Sequence, residues 1–177
     1  MCIRDRNQNP ILGRREKESS GLRRGGPDMV GYLDSGAGIT PDELRRVMIQ
    51  YPSTAAVKQH RMRNGNFGVI QVTMMGVRSA GDSSDVRYQV LIDFRNFPSS
   101  TPIAYIRSPS SSEIRHCNIY KSDRYSLAPN IDLCAICIGS YAGSFEKLPE
   151  NREMRLGCFL NQIQYILSNP NPKSRAR

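Results

Sequence analysis

The sequence lacks any long apolar stretch. Nowhere do about eighteen apolar residues follow one another, which is the length that a membrane-spanning helix needs. The start of the chain also lacks the short apolar run of a secretory signal, so we expect a cytoplasmic protein with no membrane contact. The cysteines number five, and this odd count with uneven spacing fits a reducing compartment better than a disulfide framework.

A large excess of one charge is missing from the body of the chain. The 177 residues are 38% hydrophobic and 23% charged, which fits one globular domain. The net charge is +9, but residues 1–28 carry seven basic and four acidic side chains, and residues 173–177 carry three basic ones. The body between them retains only +3, so the basic face that nucleic-acid binding needs is not expected.

The N-terminal segment differs in composition from the rest. Residues 1–38 are rich in arginine, glycine, serine and asparagine and show no apolar period. Such a segment cannot bury enough surface to offset its chain entropy, so we predict a flexible basic arm. Residues 39–172 are predicted to form the folded domain, and residues 173–177 a short basic tail.

Local signals predict two helices. Thr40 and Glu43 form a capping box with Pro41 at the first helical position, and Pro52 ends this helix. One apolar stripe follows it at helical spacing, formed by Leu44, Val47, Met48 and Tyr51. The second helix ends before residues 169–172, which contain two prolines. Its broader stripe consists of Leu156, Phe159, Leu160, Ile163, Ile166 and Leu167.

Strand-like runs lie between the two helices. They cover residues 68–77, 86–94 and 103–107 and are separated by short turns. In the second run Tyr88, Val90 and Ile92 alternate with Gln89, Leu91 and Asp93, which is the period of a sheet strand with at least one buried face. Three or four such strands with one helix before and one after predict an α+β fold built on an antiparallel meander.

Four motifs then follow one another in an order typical of a known family. They are Phe97-Pro98-Ser99-Ser100-Thr101-Pro102, His116-Cys117-Asn118, Ile136-Cys137-Ile138 and Asn169-Pro170-Asn171-Pro172. This order resembles the ubiquitin-conjugating enzyme family, in which a proline-rich loop, a His-Pro-Asn turn, an Ile-Cys-Leu nucleophile and an Asp-Pro-Asn-Pro helix end occur in the same succession. The resemblance runs from about Thr40 to Pro172.

The resemblance implies an α+β fold of the UBC-like type. An N-terminal helix and a C-terminal crossover helix would flank the antiparallel β-meander, without the last two helices of the family. It further implies a transferase: Cys137 would accept a ubiquitin-like protein from an activating enzyme as a thioester and pass it to a target protein lysine. ATP is used upstream, so no cofactor and no metal are expected. Because several positions depart from the family pattern, the chain resembles the divergent members found in bacterial ubiquitin-like conjugation operons, some of them linked to phage defence, more than the eukaryotic enzymes.

The same resemblance assigns roles to individual residues. Asn118 would donate a hydrogen bond to the oxyanion formed during transfer, although an asparagine there can equally cap its own turn. His116 would structure the site through backbone hydrogen bonds instead of acting as a base. Arg45 and Arg46, on the outer face of the first helix, would bind the activating enzyme.

Several positions depart from the family pattern. Cys117 replaces the proline of the turn, Cys134 stands where a glycine commonly precedes the nucleophile, and residues 121–133 form a longer link than usual. The sequence therefore leaves open whether Cys137, Cys134 or Cys117 carries the acyl group. Ser99 stands where a bulky apolar residue commonly anchors a ligase, and Lys173 lies near where an acidic residue often helps to orient the acceptor lysine.

The sequence leaves two alternative functions open, a zinc or redox site and a non-catalytic scaffold. Cys134 and Cys137 have the C-x-x-C spacing of a zinc or redox site, but His116 and Cys117, the only other nearby donors, are adjacent and would diverge in an extended chain. Residues 139–143 have the composition of a loop, whereas a redox C-x-x-C motif would lie at the start of a helix. The second alternative is a non-catalytic scaffold of the same fold that binds a ubiquitin-like protein. His60 is expected at the surface.

Overall fold

The computed structural model describes residues 36–110, 112–121 and 133–174. Residues 1–35 of the predicted arm, residues 175–177 of the predicted tail and residues 122–132 of the long link lie outside the described ranges. The helices and strands, in chain order, are α1 (Pro41–Gln50), β1 (Ala55–Ala56), β2 (Val69–Val77), β3 (Asp85–Asp93), β4 (Ile103–Ser108), β5 (Ile119–Lys121), β6 (Cys134–Ile136), α2 (Tyr141–Glu146) and α3 (Arg152–Ser168).

Helix α1 begins as its sequence predicts. The Thr40 hydroxyl accepts a hydrogen bond from the Glu43 backbone N–H, and the Glu43 carboxylate accepts one from the Thr40 N–H, which completes the capping box. Of the predicted stripe, Val47 and Tyr51 are buried, while 41% of Met48 is exposed. The stripe is therefore narrower than predicted and covers only part of the helix.

The α+β class is confirmed, with six antiparallel strands in the order β1-β2-β3-β4-β6-β5. Strands β2, β3 and β4 match the three predicted runs to within one residue at each end. The sheet departs from a simple meander at its far side, because β6 pairs with β4 and leaves the earlier strand β5 at the edge. Strand β6 therefore lies between β4 and β5, although β5 comes before β6 along the chain.

Helix α3 packs across one face of the sheet. All six residues of the predicted stripe are buried, and the helix ends at Ser168 with Asn169 as its C-cap. The helix approaches β2 closely at Gly76, since a Cβ atom there would lie 2.6 Å from the Leu167 carbonyl oxygen. This face holds the main core, in which Phe94, Phe97 and Phe159 form edge contacts.

The opposite face of the sheet carries a smaller apolar cluster. Its buried members are Val69, Leu91, Tyr105, Leu133 and Ala135. Side chains therefore alternate between the two faces along β6, with Cys134 and Ile136 in the main core and Ala135 in the second cluster.

A short helix occupies part of the segment that sequence composition assigned to a loop. Gly139 and Ser140 form a turn, but α2 begins at Tyr141 and runs to Glu146. Phe145 supplies the reason, since its ring is fully buried against Phe159 of α3. Tertiary packing has outweighed the loop-like composition of this segment. No helix within the described ranges is long and apolar enough to cross a membrane.

Candidate functional site

Strand pairing brings Asn118 and Cys137 together. The register of β5 and β6 pairs Ile119 with Ile136, and one more step along both strands places Asn118 opposite Cys137. The Cys137 N–H donates to the Asn118 carbonyl oxygen at 2.7 Å, so the pairing continues to this position. Residues opposite each other in an antiparallel pair project to the same face with Cβ atoms about 4.5–5.5 Å apart.

The two cysteines of the C-x-x-C segment have different environments. Cys134 lies in β6 and is buried in the main core, whereas Cys137 follows the strand and its side chain is half-buried. Ile136 is buried and Ile138 packs against the same core, so both neighbours of Cys137 hold the chain in place. Of these two thiols, the one that a partner can reach is Cys137.

The Asn118 side chain is held by the segment that follows α3. Its Oδ1 accepts a hydrogen bond from the Asn171 backbone N–H at 2.8 Å. Asn118 is only 7% exposed, and within the described residues its Nδ2 makes no hydrogen bond. Because the oxygen end of the amide is fixed, the nitrogen end is the one available as a donor.

His116 is buried and both of its ring nitrogens are occupied. Nε2 lies 3.3 Å from the Leu167 carbonyl oxygen, to which it can donate, and Nδ1 accepts the Asn118 N–H at 3.2 Å. Burial lowers the pKa of His116, although hydrogen bonds to Leu167 and Ile166 act in the opposite direction. A neutral imidazole that bridges α3 and the turn suits a structural role, because a base would have to break one of these contacts.

Cys117 lies beside the same contacts. Its side chain is half-buried, and its Sγ donates to the Asn171 carbonyl oxygen at 2.9 Å and lies 3.8 Å from Asn118 Oδ1. The thiol thus takes part in fastening the turn to the end of α3.

Arg45, Arg46 and Ser99 lie at the surface, apart from the Asn118–Cys137 pair in the fold. Arg45 forms an ion pair with Asp42 of its own helix, and Arg46 pairs with Glu153 of α3 at 2.7 Å. Ser99 is exposed and lines an open groove between the loop after β3 and the start of α3. None of the three contacts Cys137 in the hydrogen-bond network.

Two arginines at the start of α3 were not recognised as structural from the sequence. Arg152 donates to both Glu43 carboxylate oxygens at 2.8 Å and also binds the carbonyl oxygens of Gly36 and Gly38. Arg155 binds the carbonyl oxygens of Pro98, Pro149 and Leu148. Together they fix the loops on either side of the groove that Ser99 lines, and residues 36–38 are thereby part of the folded body.

The zinc alternative gains no further donors from the fold. Across residues 36–110, 112–121 and 133–174, no three His, Cys, Asp or Glu side chains come together as a metal site would need. His60 lies in a short 3-10 helix, Lys58–His60, and is partly exposed.

Comparison of the chain with protein-family models, with curated proteins and with solved structures gives no match. The assignment of function therefore rests on the geometry around Cys137 and Asn118.

Proposed function

We propose that the protein is a transferase of the ubiquitin-conjugating type, with a UBC-like fold. The observation that carries this proposal is the pairing of Asn118 with Cys137 across the end of β5 and β6, fastened by the 2.7 Å backbone hydrogen bond. A half-buried thiol opposite a buried amide donor suits acyl transfer through a cysteine, because the thiol can be reached and the amide can stabilise an oxyanion.

In the loading step, the Cys137 thiolate attacks the thioester that joins a ubiquitin-like protein to its activating enzyme. A new carbon–sulfur bond forms to Cys137, and the cysteine of the activating enzyme leaves as a thiolate. A thiolate is the reactive form of cysteine, and a partly exposed position favours it over a fully buried one. The half-buried state of Cys137 fits this demand, whereas Cys134 in the core does not.

In the transfer step, a neutral lysine amine of the target attacks the thioester carbonyl carbon. The carbonyl oxygen becomes negatively charged in the tetrahedral intermediate, and Nδ2 of Asn118 donates a hydrogen bond to it. The carbon–sulfur bond then breaks, an amide remains, and the amine proton goes to the departing Cys137 sulfur directly or through water. One oxyanion donor of this kind is worth about 3 kcal/mol.

The remaining roles belong to the same proposal. Arg45 and Arg46 are exposed on α1, each in an ion pair with a carboxylate, where an activating enzyme can reach them, and the groove at Ser99 suits a further partner. The protein would work in the cytoplasm, where thiols stay reduced.

A loading assay tests the proposal. The protein is incubated with ATP and with an activating enzyme and a ubiquitin-like protein from a bacterial ubiquitin-like conjugation operon, and gel mobility is followed with and without reducing agent. We expect a thiol-sensitive adduct that Cys137→Ala abolishes and Cys158→Ala, a half-buried cysteine on α3, retains. An adduct that persists in Cys137→Ala would move the site to another cysteine, and no adduct in the unaltered protein would favour the scaffold alternative.

A further inference from the structure

The segment after α3 is fastened to the site through Asn171. Residues 169–174 are exposed or half-buried, so apolar packing does little to hold this segment in place. The Asn171 N–H donates to Asn118 Oδ1 at 2.8 Å. On the other side of the same residue, the Cys117 thiol donates to the Asn171 carbonyl oxygen at 2.9 Å. The position of Asn171 beside the site therefore depends on the side chain of Cys117.

Asn171 belongs to a tight local turn. Its side-chain Oδ1 accepts the Lys173 N–H at 3.0 Å, and its carbonyl oxygen accepts the Ser174 N–H at 2.9 Å. Because these bonds make residues 171–174 one unit, a contact at the carbonyl oxygen of Asn171 also steadies the N–H of that residue. Cys117 holds this unit at the carbonyl oxygen, and the unit holds Asn118 at the N–H.

The orientation of the Asn118 amide follows from the donor that it faces. A backbone N–H can only donate, so the amide oxygen must face Asn171 and the amide nitrogen must lie on the other side. Cys117 Sγ lies 3.8 Å from the same oxygen. A donor that is oriented before the reaction needs no reordering when the oxyanion forms, and this preorganisation is the source of its catalytic value.

We propose that Cys117 is a positioning residue for the transfer step, in which its thiol holds Asn171 and thereby orients the amide of Asn118. This inference rests on the proposed function and specifies what keeps the oxyanion donor in place. Cys117 makes no bond to the acyl group in this role, and the bonds that form and break are those described above. The proline of the resembled family has no side-chain donor and cannot make this contact.

A role that Cys117 exerts only through Asn118 should vanish when the amide is absent. Two residues that act through one interaction show non-additive effects, whereas independent residues show effects that add. If Cys117 merely supported the fold, its loss would lower the rate equally with and without the amide. A double-mutant cycle over Cys117 and Asn118 therefore separates positioning from general support of the fold.

Single-turnover discharge of the loaded protein to free lysine tests the inference. The second-order rate constant is measured for the unaltered protein, Cys117→Ala, Asn118→Ala and the double variant. We expect Cys117→Ala to load but to lower this rate constant by about three- to tenfold, the value of one hydrogen bond. In the Asn118→Ala background the same substitution should change the rate constant by less than about twofold. Cys117→Ser keeps a side-chain donor and should stay within about twofold of the unaltered protein.

Cys158→Ala is the matched control, since Cys158 is also half-buried but lies on α3 and not in the turn. It should load and discharge like the unaltered protein. Urea midpoints are measured for every variant under the conditions of the discharge assay. They identify any loss of rate that comes from unfolding, and the comparison of Cys117→Ser with the unaltered protein then decides the question.

Equal rate constants for Cys117→Ala and the unaltered protein would overturn the role of Cys117. So would a loss of the same size in the Asn118→Ala background, or a Cys117→Ser protein that is folded but as slow as Cys117→Ala. Failure of the unaltered protein to load, or normal discharge by Asn118→Ala, would instead contradict the proposed function, and this inference with it.

Discussion

Gly76 is the position where an added methyl group should harm the fold most clearly. A Cβ atom there would lie 2.6 Å from the carbonyl oxygen and 2.8 Å from the Cβ of Leu167. These atoms are fixed on α3, so the helix itself must move, and overpacking of this kind costs about 1–3 kcal/mol. The same carbonyl oxygen lies 3.3 Å from His116 Nε2, and a weakened hydrogen bond adds about 1 kcal/mol. We expect Gly76→Ala to lower the free energy of unfolding by about 2–4 kcal/mol.

Gly157, which lies on α3, provides the matched control for Gly76 of β2. A Cβ atom at Gly157 would meet nothing within 4 Å, and alanine is favoured over glycine in a helix interior by about 1 kcal/mol. Gly157→Ala should therefore raise the free energy of unfolding while Gly76→Ala lowers it. Urea unfolding at pH 7, followed by circular dichroism, measures both. Equal stability of Gly76→Ala and the unaltered protein would refute the close approach of α3 to β2.

Three further predictions concern charge and the site. Burial lowers the pKa of His116, so below about pH 6.5 the imidazole takes up a proton more readily in the unfolded chain than in the folded one. The free energy of unfolding should therefore fall as the pH drops below about 6.5. Urea midpoints measured over a pH series should show no such loss in His116→Gln. Burial alone would raise the pKa of Glu43, but the hydrogen bonds and charge of Arg152 lower it. The stabilisation that ionised Glu43 gives the folded state is therefore present above about pH 4.3 and is lost as the pH falls below that value. Arg152→Met leaves that buried carboxylate unpaired and should cost about 3 kcal/mol in thermal unfolding, whereas Arg45→Met, at an exposed pair, should change stability by less than about 0.5 kcal/mol. Asn118→Ala should still load but discharge to lysine about a hundredfold more slowly, and unchanged discharge would reduce Asn118 to a turn residue.

Helices α1 and α3 could be predicted from the sequence because their signals are local, whereas α2 could not, because it depends on the burial of Phe145. The capping box at Thr40 and Glu43 and the apolar stripe of α3 need no information from distant residues. The long strands β2 and β3 show their alternation for the same reason. Strands β5 and β6 have three residues each, which is too short for a period to emerge, and their exchanged order in the sheet depends on tertiary pairing.

The candidate site also has a part that the sequence predicts and a part that depends on tertiary structure. The candidates Cys137, Asn118 and His116 came from motif order, and the fold places them together. The contact between Asn118 and the Asn171 N–H could not be predicted, because it depends on where the chain runs after α3. Arg152 was missed because an arginine at the start of a helix is usually solvated, and only the fold shows that it binds the buried Glu43.

The proposal that Cys137 carries the acyl group is tested most directly by exchanging its sulfur for oxygen. A serine at this position, with Asn118 unchanged opposite it, should accept the ubiquitin-like protein as an oxygen ester. We predict that Cys137→Ser yields an adduct that resists reducing agent and is cleaved by dilute alkali, and that peptide mass mapping locates it at residue 137. An adduct of Cys137→Ser that reducing agent still removes, or one that maps to another residue, would contradict the account.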